Sequence, residues 1–201
     1  MSKTFKVEMV SWGRVTRLSR LLANKIADSD YQPDIVVAIA RGGLVPARLI
    51  CDHLDIYDLT SIRITHYTGG AHKTEAARLN IPLNVNVNGM KVLLVDDVDD
   101  SGDTLQLALE HISTFNPTEI KVAVLHHKLV STVVPDYYAQ KITRWRWLTY
   151  PWAVIEDLQS FIKKMEPQPD SVEEATKRLA QQYNIKVPAK VMKDVYSNIE
   201  A

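Results

Sequence analysis

Three runs, "DIVVAIA" at 34–40, "KVLLV" at 91–95 and "KVAVL" at 121–125, are almost wholly apolar. Runs this short, with no polar face, are expected as strands covered on both sides. Between and around them lie segments with helical spacing. "SWGRVTRLSRLLANKIADS" carries Val15, Leu18, Leu22 and Ile26 on one stripe, with Ser11 placed to cap it. "LVPARLICDHL" reads as a helix leaving a glycine turn, and "SGDTLQLALEHI" sets Leu105, Ala108 and Ile112 on one face. "LTSIRIT" (59–65) alternates like a strand. Residues 66–80 hold Gly69-Gly70 and no clean period, so a long loop is expected there. Strands alternating with helices predict an α/β fold with a mostly parallel sheet joined by crossovers.

The pattern changes after about residue 152. "AVIEDLQSFIKKM", "SVEEATKRLAQQY" and "VPAKVMKDVYSNI" predict three helices. Ser171 and Glu174 form a capping-box signature, and Pro188 suits a first helical turn. Their apolar stripes are Leu158, Phe161 and Ile162, then Leu179 and Tyr183, then Val191, Val195 and Ile199.

Composition removes several function classes. Lys plus Arg and Asp plus Glu number 24 each, so no net basic field draws nucleic acid. Cys51 is the single cysteine, which rules out an intrachain disulfide and any Cys/His metal spacing. No run approaches the ~18 apolar residues of a membrane span. The N-terminal "MSKTFKVEMVSW" has no signal-peptide apolar run, so a cytoplasmic protein with neither membrane nor nucleic-acid partner is expected.

The second apolar run leads straight into "DDVDDSGDT", five aspartates within eight positions. Like charges this close raise one another's pKa, so something must offset the crowding. A buried strand that ends in a glycine turn and opens a helix is a phosphate-binding geometry, since first-turn N–H groups and the helix dipole favour an anion. Ser101, Gly102 and Thr104 supply two hydroxyls and a backbone without a Cβ. The carboxylates fit a sugar phosphate that carries magnesium, because they accept hydroxyls and hold Mg²⁺ through its waters. Asp96, Asp97 and Asp100 are read as functional, whereas Asp99 and Asp103 are read as solvated loop and cap residues.

"VLLVDDVDDSGDT" resembles the PRPP-binding signature of the type I phosphoribosyltransferases. "VVAIARGGLVPARLI" is similar to the pyrophosphate loop of the xanthine-guanine enzymes. "HHK" at 126–128 followed by "WRWLTYPW" at 145–152 resembles the purine-contacting segment of the 6-oxopurine enzymes. The resemblance runs from about residue 34 to 152 and leaves out the helical end.

The resemblance implies a type I phosphoribosyltransferase core over 1–151; the helical end over 152–201, which starts directly after "WLTYPW", is expected to form a subdomain beside the base site. It implies transfer of phosphoribosyl from PRPP to N9 of a purine, yielding a nucleoside monophosphate and pyrophosphate, with Mg²⁺ as cofactor and a homodimer as the assembly. Asp96 and Asp97 would accept the ribose hydroxyls and organise Mg²⁺. Asp100 would accept the proton near purine N7. Asp100, Ser101, Gly102, Asp103 and Thr104 would cradle the 5′-phosphate. Arg41, Gly42 and Gly43 would meet pyrophosphate, with the Ala40–Arg41 peptide cis. Lys128 would donate to O6 of the base, Trp147 would stack on its ring and the Leu148 carbonyl would face its edge. The segment from His66 to about Asn80, with His66, Tyr67 and Lys73, would form the lid that excludes water. Five of the seven glycines, Gly42, Gly43, Gly69, Gly70 and Gly102, fall in these three loops. Two departures stand out: Asp99 occupies a position that is usually apolar in the family, and the lid begins "HYT".

Other residues have plainer readings. Cys51 is expected in the core, His53, His111 and His126 as structural or surface residues, and Trp145 and Trp152 as packing aromatics. Lys128 favours a 6-oxopurine, because an ammonium has nothing to accept from an adenine amino group. Adenine remains open, as backbone groups can read its amino group. A PRPP-sensing regulator is the alternative of another class, and an interaction module resting on the C-terminal helices is the third.

Overall fold

The structure is a computed structural model of the chain, and it describes residues 5–67 and 76–197. In chain order the first elements are β1 (Val7–Met9), α1 (Trp12–Ala27), β2 (Ile35–Ala40), α2 (Leu44–Leu54) and β3 (Leu59–Tyr67). Then come β4 (Ala76–Ile81), β5 (Lys91–Asp99), α3 (Asp103–Ser113), β6 (Glu119–Lys128) and β7 (Tyr137–Ile142). The last are β8 (Trp147–Thr149), α4 (Val154–Lys163), α5 (Val172–Tyr183) and α6 (Ala189–Ser197).

The chain forms two compact units. One is Gly13–Arg144; the other joins Met1–Trp12 to Trp145–Ala201. The sequence-based boundary at 151/152 thus differs from the observed division at Arg144/Trp145. The reason is strand pairing: β1 and β8 form a two-stranded parallel sheet, with Val7 opposite Trp147 and Met9 opposite Thr149. That pairing places the N-terminal strand in the same unit as the C-terminal helices.

In the larger unit the sheet order is β4-β3-β2-β5-β6-β7. All neighbours are parallel except β3 and β4. The three apolar runs are the central strands β2, β5 and β6, where branched and aliphatic side chains are buried on both faces. Val37, Ile39, Val92, Leu94, Val122 and Val124 share one core with Leu105, Ala108 and Ile112 of α3. The expected stripe of α1 is buried in full, with Val15, Leu18, Leu22 and Ile26 all inside. Burying each such side chain contributes about 1.5–3 kcal/mol.

The expected loop over 66–80 is corrected at both ends. Residues 66 and 67 finish β3, and 76–81 form β4, antiparallel to it. "AARLNI" holds two polar residues in six, Arg78 and Asn80, as suits an edge strand, so its sequence lacks the apolar signature of the central strands.

In the smaller unit the three predicted helices are present. Leu158, Phe161, Ile162, Leu179 and Tyr183 meet in one core, as their stripes imply. On α6 the buried residues are Met192 and Val195, with Val191 only partly covered, so the stripe is rotated from the expected one, and Ile199 lies outside the described residues. Ser171 Oγ accepts from the Glu174 N–H at 3.1 Å, while Glu174 returns to the Asp170 N–H at 3.0 Å. The capping box therefore closes one residue earlier than its usual form.

Candidate active site

β2 leads to β3 on one side of it and β5 leads to β6 on the other. Helices α2 and α3 therefore leave the neighbouring strands β2 and β5 in opposite directions. Such a switch point opens a crevice at the carboxyl ends of the two strands, the usual ligand position in an open α/β sheet. A cleft of about 270 Å³ lies there, lined by the β2–α2 turn, residues 96–102, Ile64, Thr104 and Leu105.

β5 continues four residues beyond its apolar half, so the aspartates are partly strand residues rather than a loop. Pairing with β6 extends to Asp99 opposite His127. Asp96 and Asp97 are both buried. Asp96 Oδ1 accepts from the Asp97 N–H at 2.8 Å. Burial pushes the Asp96 carboxyl well above its ordinary pKa, and the Asp97 charge pushes the same way. A bound cation would relieve that strain. Among the described residues no group of three or more His, Cys, Asp or Glu is placed to hold a metal alone. Two adjacent carboxylates suit a hard ion such as Mg²⁺ that takes its remaining oxygens from water and a phosphorylated substrate.

The β2–α2 turn presses on this edge. A Cβ on Gly42 would lie 2.6 Å from Asp97 Oδ2, and one on Gly43 would lie 2.8 Å from Ile39 O and also collide with Val95 O. Both glycines are required by close approach, and the peptide entering Arg41 is cis, as the resemblance implies. Arg41 is exposed and, with Gly42, lines the cleft.

Gly102 precedes α3 with φ +96°, a conformation that other residues adopt at a cost. It turns the chain so that the first-turn N–H groups of α3, which lack helical carbonyl partners, begin beside the cleft. Ser101 Oγ donates to Asp103 Oδ2 at 2.9 Å; Asp103 is exposed as expected but does not cap the helix, because it is the first residue of α3 and the N-cap position is Gly102, with no side-chain cap.

Asp99 does not match its expected reading. It is not solvated but 2% exposed, hydrogen-bonded through Oδ2 to His127 Nδ1 at 2.7 Å and accepting from Ser131 Oγ at 2.7 Å. The parallel pairing of β5 with β6 buries it, and burial raises its pKa while the Ser131 and His127 bonds oppose the rise. Asp100, next in the chain, is joined to Lys128 Nζ at 2.6 Å. Lys128 is almost fully buried and Asp100 is half open to the cleft.

Trp147 and Leu148 lie in the smaller unit. Trp147 Nε1 donates to Asp157 Oδ2 at 2.8 Å, and the indole meets the Phe161 ring edge-on at 6.2 Å. Leu148 is buried within the β1–β8 pair. Asp157 is itself pushed up in pKa by burial, against the bond from Trp147. Of the lid residues, His66 and Tyr67 end β3, and Lys73 lies outside the described residues.

Sequence reasoning missed His127, Ser131, Thr132 and Asp157. His127 and Ser131 stand 28 and 32 residues from Asp99, and only the strand pairing reveals the contact.

The pattern of relatives agrees with this geometry. A family profile described as phosphoribosyl transferase domain matches residues 11–156. The xanthine-guanine phosphoribosyltransferase of Desulfotalea psychrophila is 30% identical over 143 residues, covering 71% of this chain and 84% of its own. That of Ruegeria sp. is 30% identical over 151 residues, covering 71% and 83%. Among solved structures, a purine phosphoribosyltransferase from Pyrococcus horikoshii Ot3 superposes with TM-score 0.65 at 34% identity, over 73% of this chain and 93% of that one. A protein from Neisseria gonorrhoeae with bound ppGpp gives TM-score 0.65 at 26% identity, over 74% and 89%. The matched segment carries both turns of the crevice and the acidic strand between them, and the chain belongs to the phosphoribosyl transferase family.

Proposed function

We propose that the protein is a purine phosphoribosyltransferase of nucleotide salvage. It joins N9 of a 6-oxopurine to C1 of PRPP with release of pyrophosphate. The observation that carries this reading is the convergence of Arg41 and Gly42, Asp96 and Asp97, and Ser101, Gly102 and Thr104 on one crevice. The names of the relatives support the purine assignment.

In this reading the Ser101–Thr104 loop, with Asp100, holds the 5′-phosphate against the start of α3. Asp96 and Asp97 accept the ribose hydroxyls. Arg41 and the Gly42 amide take the pyrophosphate; the Gly43 amide, expected to join them, instead donates to Ile39 O at 2.9 Å. The C1–O bond to pyrophosphate breaks with its electron pair leaving on oxygen, and the N9–C1 bond forms. Positive charge gathered on the ribose is stabilised by the buried carboxylates. Asp96 and Asp97 would hold Mg²⁺, which would supply neutralisation of the departing charge.

The Asp100–Lys128 pair offers a carboxylate beside an ammonium. A 6-oxopurine presents the matching edge, an O6 that accepts from Lys128 and an N7 proton that Asp100 removes. Adenine puts donors toward the ammonium. Trp147 is assigned to stacking, the Leu148 carbonyl to the base edge, and the segment of His66, Tyr67 and Lys73 to the lid. A cytoplasmic homodimer completes the proposal, and sedimentation tests the dimer.

The deciding experiment incubates the purified protein with Mg²⁺, PRPP and each labelled purine, and scores nucleotide formation. Turnover of hypoxanthine, guanine or xanthine above adenine is expected. Preference for adenine would overturn the base assignment, and PRPP binding with no product from any purine would favour a PRPP-sensing regulator.

A further inference from the structure

The turn that follows β6 is folded onto the back of the Ser101–Gly102 loop. Thr132 N–H donates to Ser101 O at 3.0 Å, and Thr132 Oγ1 donates to the same carbonyl at 3.1 Å. A Cβ on Gly102 would lie 2.6 Å from Thr132 Oγ1 and 3.0 Å from both Ser131 Oγ and Val133 N. The loop and the turn are thus in contact with no room for adjustment.

What fixes the turn is Asp99. Each of its carboxylate oxygens is committed at 2.7 Å, one to Ser131 and the other to His127. Ser131 N–H donates to Lys128 O at 3.0 Å, and the Ser131 hydroxyl also reaches Val133 O at 3.0 Å. His127 and Lys128 belong to β6, and Asp99 ends β5. Asp99 therefore ties the last residues of two central strands to the turn behind the loop. An aliphatic side chain here would fill the space but would remove the 2.7 Å tie between the end of β5 and the Ser131 hydroxyl. Burying a carboxylate is costly unless it is fully hydrogen-bonded. That this chain places one where an apolar residue would pack more simply points to a role beyond packing.

We propose that Asp99, acting through Ser131 and His127, is a positioning residue. It holds the 131–133 turn against Ser101 and Gly102 and so presets the loop that receives the 5′-phosphate. The substrate half of this statement rests on the phosphoribosyltransferase reading; the ordering of the loop does not.

The test compares the full-length parent with Asp99→Leu and Asp99→Asn. Amide hydrogen exchange is followed in residues 100–106, and KM is measured for PRPP and for the base. Asp99→Leu is expected to speed exchange in 100–106 with β2 unchanged, and to raise KM for PRPP about tenfold with KM for the base and kcat held within about twofold. Asp99→Asn is expected to restore most of both, because the amide still accepts from Ser131 and donates to His127. A folded Asp99→Leu protein with parental exchange and parental KM for PRPP overturns the proposal, as does an equal loss in every constant. If that variant does not fold, Ser131→Ala takes its place, with about a threefold rise expected and none overturning the idea. A parent that neither turns over nor binds PRPP counts against the enzymatic reading alone, and the exchange comparison then decides for or against Asp99.

Discussion

Lys128 Nζ lies 2.6 Å from Asp100 Oδ2, joining a nearly buried ammonium at the end of β6 to a half-exposed carboxylate just past the end of β5. The two residues assigned to O6 and N7, neighbouring atoms on one edge of a purine ring, are thus preassembled as a donor and acceptor pair. Asp100→Asn should keep the fold and the affinity for PRPP, since the amide can still contact the ammonium. It should lower kcat by about 100-fold, the ordinary reach of a positioned proton acceptor. Steady-state kinetics with circular dichroism checks this, and parental turnover would remove Asp100 from the chemistry.

The acidic pair makes a separate prediction. Asp97→Asn should raise KM for PRPP, and added Mg²⁺ should recover part of the loss, because one hard oxygen ligand is replaced by a weaker one. Titration calorimetry of PRPP over a range of Mg²⁺ concentrations is the measurement. Unchanged affinity at every concentration would make Asp97 a structural residue.

Gly43→Ala should destabilise the protein by about 1–3 kcal/mol, the usual penalty for overpacking. The added methyl meets carbonyls of two central strands, which cannot move aside as a flexible side chain would. Denaturant unfolding gives the difference directly.

Asp157 supplies the pH dependence. Its folded-state pKa is raised by burial, so the folded protein binds this proton more tightly than the unfolded chain does. Stability from this group is therefore full at pH values below the ordinary carboxylate range. It falls as pH rises from there through the raised folded pKa, and is lost above it. Asp157→Asn removes that component, so melting temperatures of parent and variant should diverge as pH climbs through this window, with the variant the higher. Because the Asn carbonyl can still accept from Trp147, KM for PRPP should not change. Thermal melts from pH 3.5 to 8 decide it.

Contiguous features were legible in the sequence, and paired ones were not. The runs that became β2, β5 and β6 announce themselves by composition, and the Ser101–Thr104 loop by spacing along nine consecutive residues. β4 is an edge strand whose polar residues resemble those of a loop. β1 and β8 have three residues each, too few to show a period. Asp99 looked like one more solvated carboxylate because its neighbours in sequence are acidic. Its neighbours in space, His127 and Ser131, arrive only through the alignment of β5 with β6. The Trp147 indole bond to Asp157 was hidden for the same reason, since ten residues and a turn separate them.

The adjacency of β2 and β5 bears on how the chain acquires its activity. Ile35 lies opposite Val92, so the two walls of the crevice come from segments more than fifty residues apart, with α2, β3 and β4 made in between. Closing so long an interval is slow compared with forming a local helix. On a ribosome, a chain that has emerged only as far as β4 holds the Arg41 turn but no acidic wall to face it. Competence for PRPP therefore arrives late in synthesis and all at once, when β5 enters the sheet and β6 follows to hold Asp99 and Asp100 in place.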